Sequence, residues 1–155
     1  MESSPEVARR RAELEREAPI AVRGTWKRTH LDGADVVFLC GTIGAEFDAW
    51  QRRLSVTSAA DAFLSQQIGL QAVEKVMDEL EESARKEVEE GKSGIPSASR
   101  AKLMPRRSPG YGDLPLAFSR RILDELDAPR KLGVSITDSN LLVPSKSVTA
   151  ICEIC

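Results

Sequence analysis

The most apolar part of the chain reads Ala34-Asp35-Val36-Val37-Phe38-Leu39-Cys40, and its last five residues are the longest wholly apolar run in the sequence. A short continuous run rich in Val and Phe is typical of a buried strand. The sequence therefore predicts a strand over residues 34–40. The run is far shorter than the ~20 apolar residues that a membrane-spanning helix needs, so we expect no transmembrane segment.

The residues before this strand predict two helices. Residues 1–18 should form a helical arm capped by Ser4, and their few large apolar side chains predict that the arm docks loosely. A second, shorter helix is predicted from Thr25 to the turn at Asp32-Gly33. The remaining residues, 19–155, are few enough to form a single domain.

The longest predicted element is a helix over residues 58–90. Ser58 and Asp61 form a capping-box pattern at its start. Because so long a helix is unusual in a globular domain, we expect a kink at Gly69 or a frayed end. Residues 91–107 predict a loop from their Gly, Pro and Ser content. One apolar stripe along the helix should face the core: Phe63, Leu70, Val73, Met77 and Leu80.

The last third of the chain predicts a helix followed by short strands. Apolar residues at helical spacing favour a helix over 116–127, and strand-like segments follow at 133–137, 140–143 and 147–154. Tight polar turns between these strands imply antiparallel pairing. The predicted fold class is therefore α+β, with a twisted antiparallel sheet, flanking helices and one long central helix.

Charge and cysteine content exclude several classes of protein. The 155 residues include 22 Lys and Arg against 24 Asp and Glu, a formal net charge of −2, whereas a general nucleic-acid binder has a basic excess. Three cysteines, an odd number, do not indicate a disulfide framework. The polar N-terminus lacks the apolar core of a secretory signal. We expect a cytoplasmic protein that binds neither nucleic acid nor membranes.

Common cofactor signatures are missing from the sequence, which has neither a dinucleotide fingerprint nor a phosphate loop. Gly41-Thr42-Ile43-Gly44 could bind an anion or simply turn the chain. The only histidine lies in His30-Leu31-Asp32-Gly33, which matches the end of the DxHxxG cobalamin motif, but Arg28 stands where the motif has aspartate. We expect no metal site, because the terminal Cys152-Glu153-Ile154-Cys155 has too few further ligands for zinc.

The best candidate for a binding site is Arg106-Arg107-Ser108-Pro109-Gly110-Tyr111-Gly112-Asp113-Leu114-Pro115. Its prolines and glycines fix a sharply turned backbone whose remaining N–H groups could face a ligand. Arg106 and Arg107 offer bidentate donors to a carboxylate, and Tyr111 offers a flat face and a hydroxyl. The same segment could instead be a rigid connection to the next helix.

Glu74 is a second candidate. It lies four residues after Leu70 and three before Met77, which places it on the predicted apolar side of the long helix. An inward carboxylate needs a cationic or hydrogen-bonding partner. That partner could be an arginine of this chain or a cationic ligand.

Around these residues the sequence resembles the activation (reactivation) domain of cobalamin-dependent methionine synthase, in its short stand-alone form. The resemblance covers roughly residues 34–151. It rests on the Arg106–Pro115 segment, on Lys131–Ser139 with its Thr-Asp-Ser triplet, and on Val143–Ala150 with its Ser-Val pair.

The resemblance implies a C-shaped α+β fold that binds S-adenosylmethionine in a shallow groove. The bound methyl group is presented to the cobalt of cobalamin, which a partner protein carries. Restoring the methylated cofactor also takes an electron from a flavodoxin- or ferredoxin-like donor. The expected partner is a corrinoid-binding methionine synthase or a related methyltransferase.

Five residues are implied as the binding site. By resemblance, Arg106 holds the carboxylate of the methionyl part, and backbone groups of Ser108, Gly110 and Tyr111 cradle the ligand. Tyr111 lies near the transferred methyl group and is the catalytic candidate. Glu74 pairs with the ligand's positive charge. The family's domain is longer, and its ligand-binding aspartate has no counterpart in residues 1–33.

The function implied is that of an activation subunit, a component of a methyltransferase system, which acts in trans on methionine synthase in methionine biosynthesis. Two alternatives stay open. One is reactivation of another corrinoid-dependent methyltransferase. The other is non-catalytic docking on such a protein.

Overall fold

The strand predicted at residues 34–40 is the middle strand of a three-stranded sheet in the computed structural model, which describes residues 4–90 and 101–155. The strands among those residues are β1 (Arg23–Leu31), β2 (Ala34–Thr42), β3 (Ser135–Ile136), β4 (Leu142–Val143) and β5 (Ser147–Glu153). The sheet has the order β1-β2-β5, and both pairings are antiparallel. A separate antiparallel ribbon pairs β3 with β4.

The helix predicted from Thr25 is wrong, because that segment belongs to β1. Asp32 and Gly33 both have positive φ, 51° and 83°, and form a two-residue hairpin turn between β1 and β2. Asp-Gly is among the strongest short signals for such a turn. Pairing with β2 along its whole length then determines the conformation of this segment.

Two of the helices begin and end within two residues of the bounds predicted at 58–90 and 116–127, and the N-terminal helix lies within the predicted arm. The helices over residues 45–57 and 128–132 had no predicted bounds. Ser58 caps the long helix, since its Oγ accepts the Asp61 amide at 3.1 Å. The helices are α1 (Pro5–Glu17), α2 (Ala45–Thr57), α3 (Ala59–Glu90), α4 (Phe118–Leu126) and α5 (Ala128–Leu132). None of them is long and apolar enough to cross a membrane.

The buried face of α3 differs from the predicted stripe. Val73 and Met77 are buried as expected, but Phe63 and Leu70 are exposed. The helix runs without a break through Gly69, and the kink or frayed end expected from its length stays a prediction. A Cβ at Gly69 would lie 2.7 Å from the Phe47 ring, so the glycine allows α2 to pack closely on α3.

The N-terminal helix α1 packs against α3 rather than docking loosely. Its Leu14 is completely buried, in a cluster that includes Phe47 and Ile68. Arg10 binds Asp61 of α3 with Nη2 to Oδ2 at 2.8 Å. The division of the chain at residue 18 stays a prediction.

The sheet separates two layers of core. Val37 and Leu39 of β2 pack with Met77 and Ala84 of α3, whereas the alternate residues, such as Phe38, pack against α4. This alternation follows from the two-residue period of a strand. The fold class is α+β, as predicted, with a long central helix on one face of an antiparallel sheet.

Candidate functional site

The segment that carries the two candidate arginines lies along the free edge of β5. Leu103 bridges Ile154 and Arg107 bridges Ile151, both antiparallel. The Arg107 amide donates to the Ile151 carbonyl, and the Ile151 amide donates back, each at 2.8 Å. Of the loop predicted over 91–107, residues 101–107 therefore partly extend the sheet, while 91–100 lie outside the described residues.

Arg106 reaches across to α3 and meets three carboxylates. Its Nη1 donates to Oδ1 of Asp78 at 2.8 Å and to Oε1 of Glu81 at 2.9 Å. Its Nη2 donates to Oε2 of Glu74 at 2.7 Å. The Arg106 side chain is 18% exposed, so these charge-assisted bonds lie partly shielded from water.

Glu74 does not point into the core, and the prediction of an inward carboxylate is wrong. Its side chain is 57% exposed, because the apolar face of α3 runs along Val73, Val76 and Met77 instead. Of the two partners considered from the sequence, the structure contains the arginine of this chain. Glu74 remains at the mouth of the candidate site.

Two carboxylates around Arg106 were missed by the sequence analysis. Glu74, Asp78, Glu81 and Arg85 follow one another at intervals of four, three and four residues, which places them on one face of α3. That spacing was visible in the sequence. Nothing local indicates that Arg106, far along the chain, lies across them.

Burial and ion pairing act in opposite directions on the pKa of Glu81. Partial burial alone would raise it, but hydrogen bonds from Arg85 and Arg106 lower it below the ordinary glutamate pKa. For the cation Arg106 the signs are reversed: burial alone would lower its pKa, but its three carboxylates raise it. Both groups therefore stay charged at neutral pH.

The bend after Arg106 is held by its own backbone. The Gly110 amide donates to the Leu114 carbonyl at 2.8 Å, and the Tyr111 amide donates to the Ser108 carbonyl at 3.4 Å. These two amides are thus engaged, contrary to the expectation that the N–H groups of the bend would be free. Gly110 has a φ of 97°, a conformation that favours glycine.

An open groove of about 440 Å³ lies beside the bend. Tyr111 is 76% exposed there, so its ring and hydroxyl are accessible. Four of the five predicted site residues line the groove, and Gly110 is the one that does not. The lining consists of Glu74, Arg106, Arg107, Ser108, Tyr111 and Gly112.

Not all N–H groups of the Arg106 guanidinium are used by the three carboxylates. Arginine has five N–H groups, and the three carboxylate contacts use both on Nη1 and one on Nη2. Within residues 4–90 and 101–155, Nε and the second Nη2 hydrogen meet no acceptor. Two remaining donors are enough for one bidentate carboxylate.

The structure also places the other candidates that the sequence offered. His30 is an exposed surface residue whose Nδ1 lies 2.8 Å from Asp35. In the Gly41–Gly44 turn, the Gly44 amide donates to the Thr42 hydroxyl at 3.2 Å and is therefore engaged within the chain. Burial raises the pKa of Cys40 and of Cys152 to about 12, which disfavours the thiolate form of both at neutral pH.

Comparison with known proteins finds a match among solved structures. No family model matches the sequence, and no curated protein does. Among solved structures, the crystal structure of the MetH reactivation domain bound to AdoHcy matches with a TM-score of 0.63 and 20% sequence identity. The match covers 77% of this chain. The chain has the fold of the MetH reactivation domain.

The likeness covers only part of that domain. This chain spans 39% of the length of the matched chain. At this identity the match establishes the fold, and residue roles have to be argued from the groove itself. The fold supports the activation-domain resemblance seen in the sequence.

Proposed function

We propose that this protein is an S-adenosylmethionine-binding activation subunit that acts in trans on the cobalamin of methionine synthase. The observation that carries the proposal is the groove between α3 and the Arg106–Gly112 bend. Its charged groups lie beside an exposed tyrosine, in a fold shared with a domain known with AdoHcy bound.

The charges of the groove are complementary to such a ligand. S-adenosylmethionine carries one carboxylate, an ammonium and a sulfonium. The two free donors of Arg106 can take the carboxylate. Glu74, whose carboxylate is more than half exposed, can turn from Arg106 towards one of the ligand's cations.

The contribution of the protein to methyl transfer would be positioning. The sulfonium is already activated, so no general base is needed, and holding the methyl group in line with its acceptor is what remains. Tyr111 is the side chain we assign to the methyl end. Of the predicted backbone cradle, Ser108 and Tyr111 line the groove and would hold the rest of the ligand, whereas Gly110 would shape the bend.

The acceptor would be reached from outside. The cobalamin, carried by the partner protein, supplies the nucleophilic metal centre that takes the methyl group. The groove of this chain is shallow and open on the side of Tyr111, which leaves room for a second protein to approach. A flavodoxin- or ferredoxin-like donor and a cytoplasmic location stay part of the prediction.

Calorimetry with S-adenosylmethionine tests ligand binding. Wild type should bind, and Arg106→Ala should weaken binding by about 10- to 100-fold, since hydrogen bonds to charged groups are worth ~1.5–3 kcal/mol. Arg121→Ala, on α4, is the matched control and should bind as wild type does. Tyr111→Ala, at an exposed position, repeats the test without removing a buried charge.

Reconstitution tests the activity. The protein is mixed without oxygen with the cobalt(II) form of a candidate partner, a reductant and methyl-labelled S-adenosylmethionine. Label should reach the corrinoid only when this chain is present. If the chain binds the partner but neither binds the ligand nor transfers label, it is a docking module and the proposal fails.

A further inference from the structure

We propose that Asp78 and Glu81 are positioning residues that turn the free donor edge of Arg106 towards the ligand carboxylate. The inference rests on the proposed function and adds two residues that do not line the groove. They hold Arg106 from the side of α3.

Both hydrogens of one guanidinium nitrogen of Arg106 are bound by carboxylates of α3. Asp78 and Glu81 both accept from Nη1, at 2.8 and 2.9 Å, and so occupy its two hydrogens. A planar guanidinium whose Nη1 is fixed at two points cannot rotate freely. Its Nε and the remaining hydrogen of Nη2 then keep one orientation.

Glu81 is itself held in place. Its second oxygen accepts from Nη2 of Arg85 at 2.9 Å, and its side chain is only 15% exposed. Arg85, Glu81 and Arg106 thus form a chain of ion pairs anchored on α3. Asp78 is 70% exposed and closes the arrangement from the solvent side.

The backbone of Arg106 is fixed as well. Its neighbour Arg107 exchanges two hydrogen bonds with Ile151 of β5. With both the main chain and Nη1 fixed, little side-chain entropy is left for Arg106 to lose on binding. A donor held in advance binds more tightly than a mobile one.

A pair of ligands separates positioning from general stability. Decarboxylated S-adenosylmethionine has the same sulfonium and adenosine but lacks the carboxylate that Arg106 would hold. Asp78→Asn and Glu81→Gln should each weaken S-adenosylmethionine by about 10-fold, the loss of one charge-assisted interaction, and leave the decarboxylated ligand within about 2-fold. Both affinities are measured by calorimetry, with thermal melts to confirm folding.

Glu82→Gln is the matched control. Glu82 lies next to Glu81, and its ion pair among the described residues is with Arg85, at 3.5 Å, rather than with Arg106. This variant should bind both ligands as wild type does. If Glu81→Gln does not fold, the exposed Asp78 provides the same test.

The outcomes distinguish the two proposals. Equal weakening of both ligands by the variants, or no weakening of either, overturns the positioning role. Failure of wild type to bind S-adenosylmethionine at all refutes the proposed function itself.

Discussion

At the scale of single residues, Lys146 is a largely buried lysine that lacks an ion pair within residues 4–90 and 101–155. The residue is 7% exposed, and Asp48, whose charge acts on it, accepts hydrogen bonds from the amide and hydroxyl of Ser145. Burial lowers the pKa of Lys146, and the charge of Asp48 offsets this only in part. An ammonium held in this way reduces stability.

Replacing this cation should therefore stabilise the fold. We expect Lys146→Met to raise the free energy of unfolding at neutral pH by roughly 1 kcal/mol. The desolvation cost of the ammonium disappears, and the methionine side chain fills the space of the lysine methylenes. Since the folded-state pKa is lowered, the penalty is complete below it and fades as pH rises towards the ordinary lysine pKa. Urea titrations at pH 7 and pH 10 should show a smaller gain at pH 10. Lys75→Met, at an exposed site on α3, should change little, and a destabilised Lys146→Met would contradict the argument.

The candidate site shows what local sequence can predict about residues. The Pro-Gly-Tyr bend and Arg106 were found because turn residues and a unique tyrosine stand out within ten positions. The predicted orientation of Glu74 was wrong because the prediction placed Phe63 and Leu70 on the buried face of the helix, and both are exposed. The contacts of Asp78 and Glu81 with Arg106 join residues 28 and 25 positions apart, which no periodicity encodes.

At the scale of elements, the same contrast separates β2 from β1. The apolar run in β2 predicts its own burial, whereas β1 is half exposed and owes its conformation to β2. Pairing with β2 holds β1 in place, but the strand formers Thr25 and Trp26 and the Asp32-Gly33 turn already favour a strand there. The helix α1 was located correctly, but its docking was not, since one residue, Leu14, supplies most of its burial.

Leu14 therefore provides a test of how firmly α1 is held. Leu14→Ala should lower the free energy of unfolding by about 2–5 kcal/mol, the usual cost of removing a fully buried leucine. Val7→Ala, at a half-exposed position on the same helix, should cost less than about 1 kcal/mol. Thermal or urea denaturation measures both. If the two variants are equally stable, α1 is the loosely docked arm that its composition indicates.

At the scale of the whole molecule, the groove joins two parts of the chain that meet only through tertiary contacts. Glu74 belongs to α3, and Arg106 belongs to the segment paired with β5, so a ligand that touches both should hold them together. The ribbon of β3 and β4 packs with α4 on the other face of the sheet. Ligand binding should therefore stabilise one face of the molecule more than the other.

Hydrogen exchange can detect this asymmetry. With S-adenosylmethionine at 100 times its Kd, mass action should stabilise the folded protein by about 2.7 kcal/mol. Local opening that breaks the groove should then be about 100-fold rarer. The amides of Arg107 and Gly110, which donate to Ile151 and Leu114, should then exchange more slowly. Those of β3 and β4 should change little, because their openings do not break contacts to the ligand. At the same ligand concentration Arg106→Ala, which binds about 10- to 100-fold more weakly, should show much less protection. Protection confined to β3 and β4 would place the ligand on the opposite face of the sheet.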